Sequence, residues 1–371
     1  MRVEPGFGRF FLPGPTEVRS EVLSAMLRPM IPHRGAEFQE LFARLQSGLR
    51  KTFLTDRAVF VSSSSATGLM EAAVRCAPSG AVLSLVNGAF SARFAEIAAS
   101  CGHETDIVEA PWGSTVELDA VERRLAARRY AALTVVHSET STGALTDVRA
   151  IAEIAHRHGV LCLVDSVSGV GGAPLRADDW ELDLVLTGSQ KALALPPGLA
   201  FGVASSAYME QAAAAPARGK YFDVVEFARY AARDETPNTP AISLLYALDV
   251  QLASLAAEGL ERRWQRHAAM ASDTWEWADS FAERHGVELS ILAPKGSRSP
   301  TVSAIVLPEQ MRGPDVVAAV AERGFTIGAG YGKLKERTVR IGHMGDHDTT
   351  TLRACLDACT DAISQLAVRV A

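Results

Sequence analysis

The stretch Thr187-Gly188-Ser189-Gln190-Lys191-Ala192-Leu193 decides the fold, because it places a lysine inside an otherwise apolar region. Apolar residues dominate Leu182–Leu186 before it and Leu193–Phe201 after it. Burying a charged amine is costly unless a nearby group neutralises it or its pKa falls. The pattern therefore predicts that Lys191 lies just past a buried strand, as a desolvated amine that can form a Schiff base with an aldehyde.

A carboxylate lies upstream in a similar setting. Asp165 ends a second apolar run, Val160–Asp165, and precedes Lys191 by 26 residues. A lysine for the aldehyde and an aspartate for the ring nitrogen are the two polar anchors of a pyridoxal phosphate site. Alone, Asp165 also fits a helix N-cap or an ion pair, but its spacing to Lys191 favours the cofactor.

Short apolar runs alternate with amphipathic runs through most of the chain. Helical patterns such as Leu118–Arg128 and Val148–His158 separate several of the apolar runs. This alternation predicts an α/β fold with a mainly parallel seven-stranded sheet and helices on both faces. Two prolines and no helical pattern join the last two runs, so one of these is expected to run antiparallel. The predicted strands are Ala58–Ser62, Ala81–Val86, Glu104–Val108, Ala132–Val136, Val160–Asp165, Leu182–Thr187 and Leu199–Ser205.

The pattern changes near residue 250 and predicts three parts. Residues 1–17 are expected to form an irregular arm, residues 18–249 a large cofactor-binding domain, and residues 250–371 a smaller C-terminal α/β domain. A long helical stretch, Ile242–Ala271, with an interruption near Gly259, leads into the smaller domain. Its predicted strands are Val302–Val306 and Val339–Ile341, and its last helix is Thr349–Ala367.

Polar residues follow several predicted strands at the edge where open α/β sheets bind ligands. Ser62–Thr67 joins a strand to a helical run, Leu69–Ala77, and such a helix start offers free N–H groups to an anion. An ordinary serine N-cap is the alternative. Phe90 presents an aromatic face for a flat ring, although a core phenylalanine fits equally well alone. Gln190 and the Glu139-Thr140-Ser141 cluster offer hydrogen bonds to a phosphate and a phenolic oxygen.

Composition excludes several classes of protein. The net charge of −6 and the lack of a strongly basic stretch argue against nucleic acid as a partner. No apolar run is long enough to span a bilayer, and no apolar signal segment is visible, so no membrane partner is expected. The five cysteines have no metal-ligand spacing, which predicts no metal site and suits the reducing cytoplasm.

Taken together, these motifs resemble the class V aminotransferases. The most similar group comprises the alanine–glyoxylate, serine–glyoxylate and serine–pyruvate aminotransferases. The resemblance extends from the Leu12–Thr16 segment to the region of Arg340. The motifs that carry it are Ser63–Thr67, Glu139–Gly143, Asp165-Ser166-Val167, Ser189-Gln190-Lys191-Ala192 with Pro196-Pro197-Gly198, and Arg340-Ile341-Gly342.

The resemblance implies a pyridoxal phosphate enzyme of fold type I that acts as a homodimer with shared active sites. Lys191 looks like the Schiff-base lysine, Asp165 like the partner of the pyridine nitrogen, and Phe90 like the stacking aromatic residue. Arg340 matches the arginine that binds the substrate α-carboxylate, and Gly14 lies in the matching substrate-binding segment of the arm. The remaining predicted cofactor-binding residues are Ser65, Ala66, Thr67, Thr140 and Gln190, together with Asn238 and Thr239 from the loop that reaches the neighbouring subunit's phosphate.

The expected reaction moves an amino group from alanine or serine to glyoxylate or pyruvate by a ping-pong mechanism. The phosphate loop departs from the family pattern, because Ser64 and Ala66 stand where glycines are common. The role of the His33-Arg34 pair stays open.

Three alternative functions stay open. A lyase such as a cysteine desulfurase usually carries a histidine before the lysine, and here Gln190 stands there while Cys355 and Cys359 fall in a helical pattern. A phosphoserine-type aminotransferase needs further basic groups, for which the only visible candidates are His33, Arg34, Lys333 and Lys335. A protein that binds the cofactor without turnover has no need of the lysine, the aspartate and the arginine together.

Overall fold

A computed structural model describes residues 6–216 and 218–370 and divides them between two sheets with flanking helices. The strands are β1 Phe10–Phe11, β2 Phe60–Ser62, β3 Val82–Val86, β4 Thr105–Glu109, β5 Ala132–Val136, β6 Ser138–Glu139, β7 Ala144–Leu145, β8 Leu161–Asp165, β9 Leu184–Gly188, β10 Ala200–Ala204, β11 Ser290–Ile291, β12 Val302–Val306, β13 Thr326–Ala329 and β14 Thr338–Gly342. The helices are α1 Ser20–Ala25, α2 Ala36–Phe53, α3 Ala66–Arg75, α4 Ala89–Ser100, α5 Leu118–Ala127, α6 Val148–Arg157, α7 Ser206–Ala214, α8 Val224–Ala231, α9 Ile242–Glu258, α10 Leu260–Asp279, α11 Phe281–His285, α12 Gly313–Glu322 and α13 Thr349–Val370.

The large sheet has seven strands in the order β2-β10-β9-β8-β5-β3-β4. Strands β9, β8, β5, β3 and β4 run parallel to one another, and β10 runs antiparallel to β2 and β9. The predicted α/β fold and its antiparallel strand are thus confirmed. Because β8 and β9 are neighbours, with Asp165 paired to Leu186, the segments that follow them start at the same edge of the sheet.

Alternating side chains along the strands build an apolar layer on each face of the large sheet. In β8, Cys162 and Val164 pack into one core, whereas Leu161 and Leu163 pack against the other. Helices cover both faces because each presents one apolar side. In α6, for example, Asp147 caps the first turn by accepting the Ala150 N–H at 3.0 Å.

The predicted helix after Ser62–Thr67 begins earlier than its apolar pattern suggests. The sequence favours Leu69–Ala77, whereas α3 starts at Ala66, with Ser65 as its N-cap residue. The small residues Ala66, Thr67 and Gly68 form the first turn and lack the apolar spacing that the pattern relies on. This earlier start places Ser65–Thr67 at the positive end of the helix.

The smaller sheet has five strands in the order β1-β13-β14-β12-β11 and includes part of the arm. The arm is predicted to be irregular, but Phe10–Phe11 pairs in parallel with β13. Phe11 is fully buried and stacks on the His347 ring, with 4.2 Å between ring centroids. Burial of this side chain against a distant part of the chain explains a strand that no local pattern indicates.

Gly259 interrupts the long helical stretch as expected, since α9 ends just before it and α10 begins just after. Its φ of +84° lies in the left-handed region that favours glycine. Leu252 and Leu255 of α9 pack with the core of the large sheet. The division at residues 249 and 250 stays a prediction, and this packing leads us to infer that the large domain extends to the end of α9.

The segment after Lys191 is tied to the smaller domain by a buried arginine. Arg263 of α10 donates to the Ala192 carbonyl at 2.7 Å and to Asp346 and Glu258 at 2.9 Å each. Thr16 of the arm donates its N–H to the Gln190 carbonyl at 2.9 Å. The backbone is therefore held on both sides of Lys191, at Gln190 by the arm and at Ala192 by α10.

Candidate active site

One cavity lies at the carboxyl edge of the large sheet, between the ends of β5, β8 and β9 and the start of α3. The structure brings eight of the predicted cofactor-binding residues to it and adds Met70, Arg93, Val136, Ser138 and Val167. The eight are Ser65, Ala66, Thr67, Phe90, Thr140, Asp165, Gln190 and Lys191. Their spatial assembly agrees with the expectation from sequence, and their individual roles stay predictions.

Lys191 lies three residues beyond β9, with its side chain turned inward. Its amine donates a hydrogen bond to the Pro13 carbonyl of the arm and lies 5.7 Å from the Phe90 ring centroid. Burial, followed by the positive charge of Arg340, lowers the pKa of Lys191 to about 7, while Asp165 opposes the shift. A neutral amine is therefore well populated near pH 7, as a nucleophile or a general base requires.

Asp165, at the end of β8, is buried, and among the described residues no cationic side chain is bonded to it. Burial is the main cause that raises the pKa of Asp165 to about 7, and the negative charge of Glu139 adds to the shift. One carboxylate oxygen accepts the Val167 N–H at 2.8 Å, which opposes the shift. A desolvated carboxylate of this kind is stabilised by a positively charged N–H group in the cavity, such as a protonated pyridine.

The start of α3 suits an anion. The Ser65 side chain makes no capping hydrogen bond to the helix, so the ordinary N-cap alternative is not observed. The first N–H groups of a helix otherwise lack partners and favour a phosphate. Gln190 and Thr67 line the same cavity. This end of the cavity therefore offers a place for a phosphate group.

Glu139 positions Phe90 rather than offering its carboxylate to a cofactor. The fully buried carboxylate accepts the Ser91 N–H at 2.9 Å and the Phe90 N–H at 3.1 Å, at the start of α4. The Ser141 hydroxyl donates to it at 2.6 Å. Because both oxygens are engaged by the protein, the predicted hydrogen bonds from Glu139 to a phosphate or phenolic oxygen are not supported by this geometry.

Arg340 is anchored beside the cavity. It donates from Nε to the Ala329 carbonyl at 2.9 Å and from Nη1 to the Thr140 carbonyl at 3.1 Å. Burial lowers the pKa of Arg340, but its ordinary value is high enough that the guanidinium stays charged. These two bonds use Nε and Nη1, so the fixed guanidinium still has its Nη2 group to bind a substrate carboxylate.

Asn238 and Thr239 are not brought to Lys191 within one chain. They line a separate small cavity together with Ser62, Ser63 and Tyr221. The resemblance implies that these two residues reach the phosphate of a neighbouring subunit, which a single chain does not test.

Gly14 lies directly against Lys191. A Cβ atom at residue 14 would come within 2.4 Å of the lysine Cε and Nζ, and the φ of Gly14 is +118°. Only glycine adopts this conformation readily and leaves the lysine its place. Gly14 thus shapes the surroundings of Lys191 from the arm, and its assignment to substrate binding stays a prediction.

Replacing Gly14 by alanine should lower kcat/KM by about a hundredfold, because a displacement of the lysine amine by about 1 Å disturbs the reacting geometry. Steady-state kinetics of the cofactor-loaded enzyme measure the effect. Gly102→Ala is the matched control, because Gly102 has a φ of +91° and a Cβ atom added there would have no neighbour within 4 Å. Equal losses in the two variants would assign the effect to backbone strain and contradict a contact with Lys191.

Arg93 and Tyr331 are site residues that their sequence context does not indicate. Tyr331 stacks on Phe90 with 5.2 Å between ring centroids, and the Arg93 guanidinium lies 5.0 Å from the Phe90 ring centroid. The segment around Tyr331 is remote in sequence, and nothing in its pattern indicates which of its side chains contacts Phe90. An arginine on an amphipathic helix is usually a surface residue, so Arg93 carries no signal either.

The fold, with Lys191 and Asp165 lining one cavity, is that of the pyridoxal phosphate-dependent enzymes of fold type I. The sequence profile of the aminotransferase class-V family matches residues 17–358. The chain belongs to this family, and it is a pyridoxal phosphate-dependent aminotransferase. The predicted resemblance, fold, enzyme class and cofactor are therefore confirmed.

Individual relatives are similar to this protein along almost the whole chain. An L-aspartate–glyoxylate aminotransferase from Paracoccus denitrificans is 34% identical over 90% of this chain and 86% of its own length. A serine–glyoxylate aminotransferase from Methylorubrum extorquens is 30% identical over 99% of this chain and 93% of its own. The crystal structure of an alanine–glyoxylate aminotransferase from Nostoc sp. superposes with a TM-score of 0.90 at 29% identity, covering 98% of this chain and 97% of that one.

Proposed function

We propose that the enzyme transfers an amino group from a small amino acid, alanine or serine, to a 2-oxo acid, glyoxylate or pyruvate. The observation that carries this proposal is the shared cavity of Lys191 and Asp165, with Arg340 anchored at its side. The three relatives named above all have glyoxylate in their names, whereas their named donors differ. Their shared acceptor supports glyoxylate more strongly than any one donor.

Lys191 is the proposed general base and acid. When bound, pyridoxal phosphate supplies an aldehyde that condenses with amines and a ring that withdraws electrons from the substrate Cα. The Lys191 amine, which is partly neutral near pH 7, would take up the proton from the substrate Cα and return it on the cofactor side of the same bond system. Asp165 keeps the ring nitrogen protonated by stabilising its positive charge.

The other side chains hold and orient the two ligands in this proposal. Ser65, Ala66, Thr67 and Gln190 bind the phosphate, Thr140 contacts the cofactor, and Phe90 stacks on its ring. Arg340 binds the α-carboxylate of the substrate, and Gly14 borders the same region.

The proposed assembly is a homodimer, in which Asn238 and Thr239 of each chain contribute to the phosphate site of the other. A cytoplasmic location fits the five cysteines, none of which is in a disulfide. In the part of the chain that the structure describes, no helix has the length and apolar character needed to cross a membrane.

The position of the cysteines disfavours a desulfurase. A desulfurase needs a reactive cysteine near the substrate, and none of the five cysteines lines the cavity of Lys191. Cys355 and Cys359 are buried in α13, within the core of the smaller domain. Burial also raises the pKa of Cys76 to about 11, which suppresses its thiolate.

The absorption spectrum of the purified enzyme tests the proposal directly. Adding alanine or serine should shift the cofactor band to shorter wavelength, and glyoxylate or pyruvate should restore it. Double-reciprocal plots with varied donor and acceptor should then give parallel lines, as a ping-pong mechanism requires. Intersecting lines, or a band that persists while sulfide is released from cysteine, would contradict aminotransfer.

A further inference from the structure

One buried arginine outside the cavity contacts the segment that carries Lys191. Arg263, near the start of α10, has 1% of its surface exposed. An arginine keeps its positive charge in proteins, so its burial is costly unless fixed partners replace the lost water. The partners of Arg263 are the carboxylates of Glu258 and Asp346, each at 2.9 Å, and the Ala192 carbonyl at 2.7 Å. A buried positive charge thus binds the residue that directly follows Lys191.

The carboxylate of Asp346 is itself held in place. Its oxygens accept Arg19 Nε at 2.7 Å and the Gln251 amide at 3.1 Å. Burial opposes its ionisation, but the charges and hydrogen bonds of Arg263 and Arg19 outweigh burial and lower the pKa of Asp346. Nη1 of Arg263 bonds both of its carboxylate partners, and this arrangement aims Nη2 at the Ala192 carbonyl. The guanidinium is therefore preorganised for this carbonyl.

The turn that Arg263 contacts has an unfavourable backbone conformation. Ala194 has a φ of +52°, in the left-handed region that residues with a Cβ atom rarely adopt. Its N–H closes the turn by donating to the Lys191 carbonyl at 2.8 Å. A conformation of this kind persists only where surrounding contacts hold it. The charged hydrogen bond from Arg263 reaches a carbonyl inside the turn and is such a contact.

A shift of this turn moves the reacting amine. Lys191 and Ala192 are joined by a planar peptide bond, so a change in the backbone of one displaces the other. The buried amine donates to the Pro13 carbonyl and lies 5.7 Å from the Phe90 ring centroid. A displacement of about 1 Å from a reacting geometry lowers the rate by about a hundredfold. A contact outside the cavity therefore controls the geometry inside it.

We propose that Arg263 is a positioning residue for the amino transfer. By holding the Ala192 carbonyl, it keeps the turn in its strained conformation and the Lys191 amine in place for proton transfer. This inference rests on the proposed function, in which Lys191 is the general base and acid. Arg263 acts through the backbone beside the lysine and touches neither the substrate nor the cofactor.

Replacing Arg263 by lysine gives the first test. Lysine keeps the positive charge but is a point donor, so it cannot bind two carboxylates and the carbonyl as a planar guanidinium does. With alanine as the donor and glyoxylate as the acceptor, kcat should fall by about tenfold to a hundredfold. KM for alanine should stay within about twofold, because Arg340 keeps its own contacts. Arg263→Met leaves two carboxylates without their partner and endangers folding, so Arg263→Lys decides the test.

Arg266→Met is the matched control. Arg266 lies three residues further along α10 and donates to the same Glu258 carboxylate at 2.7 Å. Its other hydrogen bonds go to the carbonyls of Gly345 and His347. Its loss should lower the melting temperature but keep kcat within about twofold. Equal losses of kcat in Arg263→Lys and Arg266→Met would assign the effect to general destabilisation and overturn the inference.

Hydrogen exchange of the cofactor-loaded enzyme without substrate gives a readout that does not depend on turnover. Local loosening of a turn exposes its amides to exchange while the rest of the protein stays folded. In Arg263→Lys, the amides of Ala194 and Leu195, which close the turn, should exchange about tenfold faster than in the wild type. The strands of the large sheet should keep their protection, and Arg266→Met should leave the turn unchanged. Unchanged exchange in the turn of Arg263→Lys, or faster exchange across the whole protein, would overturn the inference.

The inference and the proposed function fail in different ways. Turnover of alanine or serine by the wild type, with an unchanged kcat in Arg263→Lys, would remove the role of Arg263 and leave the proposed transamination intact. No turnover of any amino acid by the wild type would refute the proposed transamination. Hydrogen exchange would still decide whether Arg263 holds the turn of Lys191.

Discussion

Replacing Lys191 by alanine should lower kcat for amino transfer by about ten thousandfold, the upper range for loss of a positioned general base. The amine is buried, and burial and Arg340 lower its pKa to about 7, so water that enters the vacated space is a far weaker base at the same pH. Single-turnover kinetics of the cofactor-loaded variant with alanine as the donor measure this loss.

Two further variants separate proton transfer from charge. Lys191→Arg keeps a positive charge but has no accessible neutral form, so it should be as inactive as the alanine variant.

Lys295→Ala is the control, because it removes an exposed lysine, with 83% of its side chain exposed, and should keep kcat within about twofold. A small primary amine in solution should partly restore Lys191→Ala by occupying the space of the lost side chain. A Lys191→Ala enzyme with more than a tenth of the wild-type kcat would remove Lys191 from the mechanism.

The sequence predicts those parts of the fold that carry a local signal. All seven strands of the large sheet lie within two residues of their predicted bounds, since buried strands between turns form short apolar runs. Asp165, at the end of one of these strands, and Lys191, three residues beyond another, stand out because burying a charged residue is costly. The two residues are thus predictable from sequence because each is a charged residue in an otherwise apolar stretch.

The parts that the sequence does not predict depend on contacts between distant segments. The strand Phe10–Phe11 exists because β13, more than 300 residues away, offers it an edge. Glu139 has the sequence context of a cofactor ligand, but its carboxylate binds the start of α4 instead. Arg93 and Tyr331 meet across 238 residues. The proposed contribution of Asn238 and Thr239 involves a second chain, so a single subunit does not test it.

Asp165→Asn should lower kcat by roughly a thousandfold, comparable to the loss of a preorganised group that stabilises charge in the transition state. Asparagine keeps the shape of the side chain and an oxygen for the Val167 N–H, which Asp165 accepts at 2.8 Å. It lacks the negative charge that keeps a ring nitrogen protonated, so the ring withdraws electrons less well. Donor binding should change much less than kcat, and Asp165→Glu should retain more activity than Asp165→Asn because it keeps the charge.

The same variant should have the opposite effect on the stability of the cofactor-free protein. Burial raises the folded pKa of Asp165 from 3.8 to about 7, so the folded state binds this proton more tightly than the unfolded state does. Stability is therefore lost as the pH rises from about 4 through 7, when the buried carboxyl must ionise in the folded protein. Asp165→Asn does not ionise and escapes this loss, so at pH 8 its cofactor-free form should unfold at a higher temperature than the wild type. At pH 4 the two should differ little. An Asp165→Asn variant that loses activity and is also less stable than the wild type at pH 8 would indicate a structural role for Asp165. A carboxylate that serves a cationic ligand instead lowers the stability of the protein when that ligand is absent.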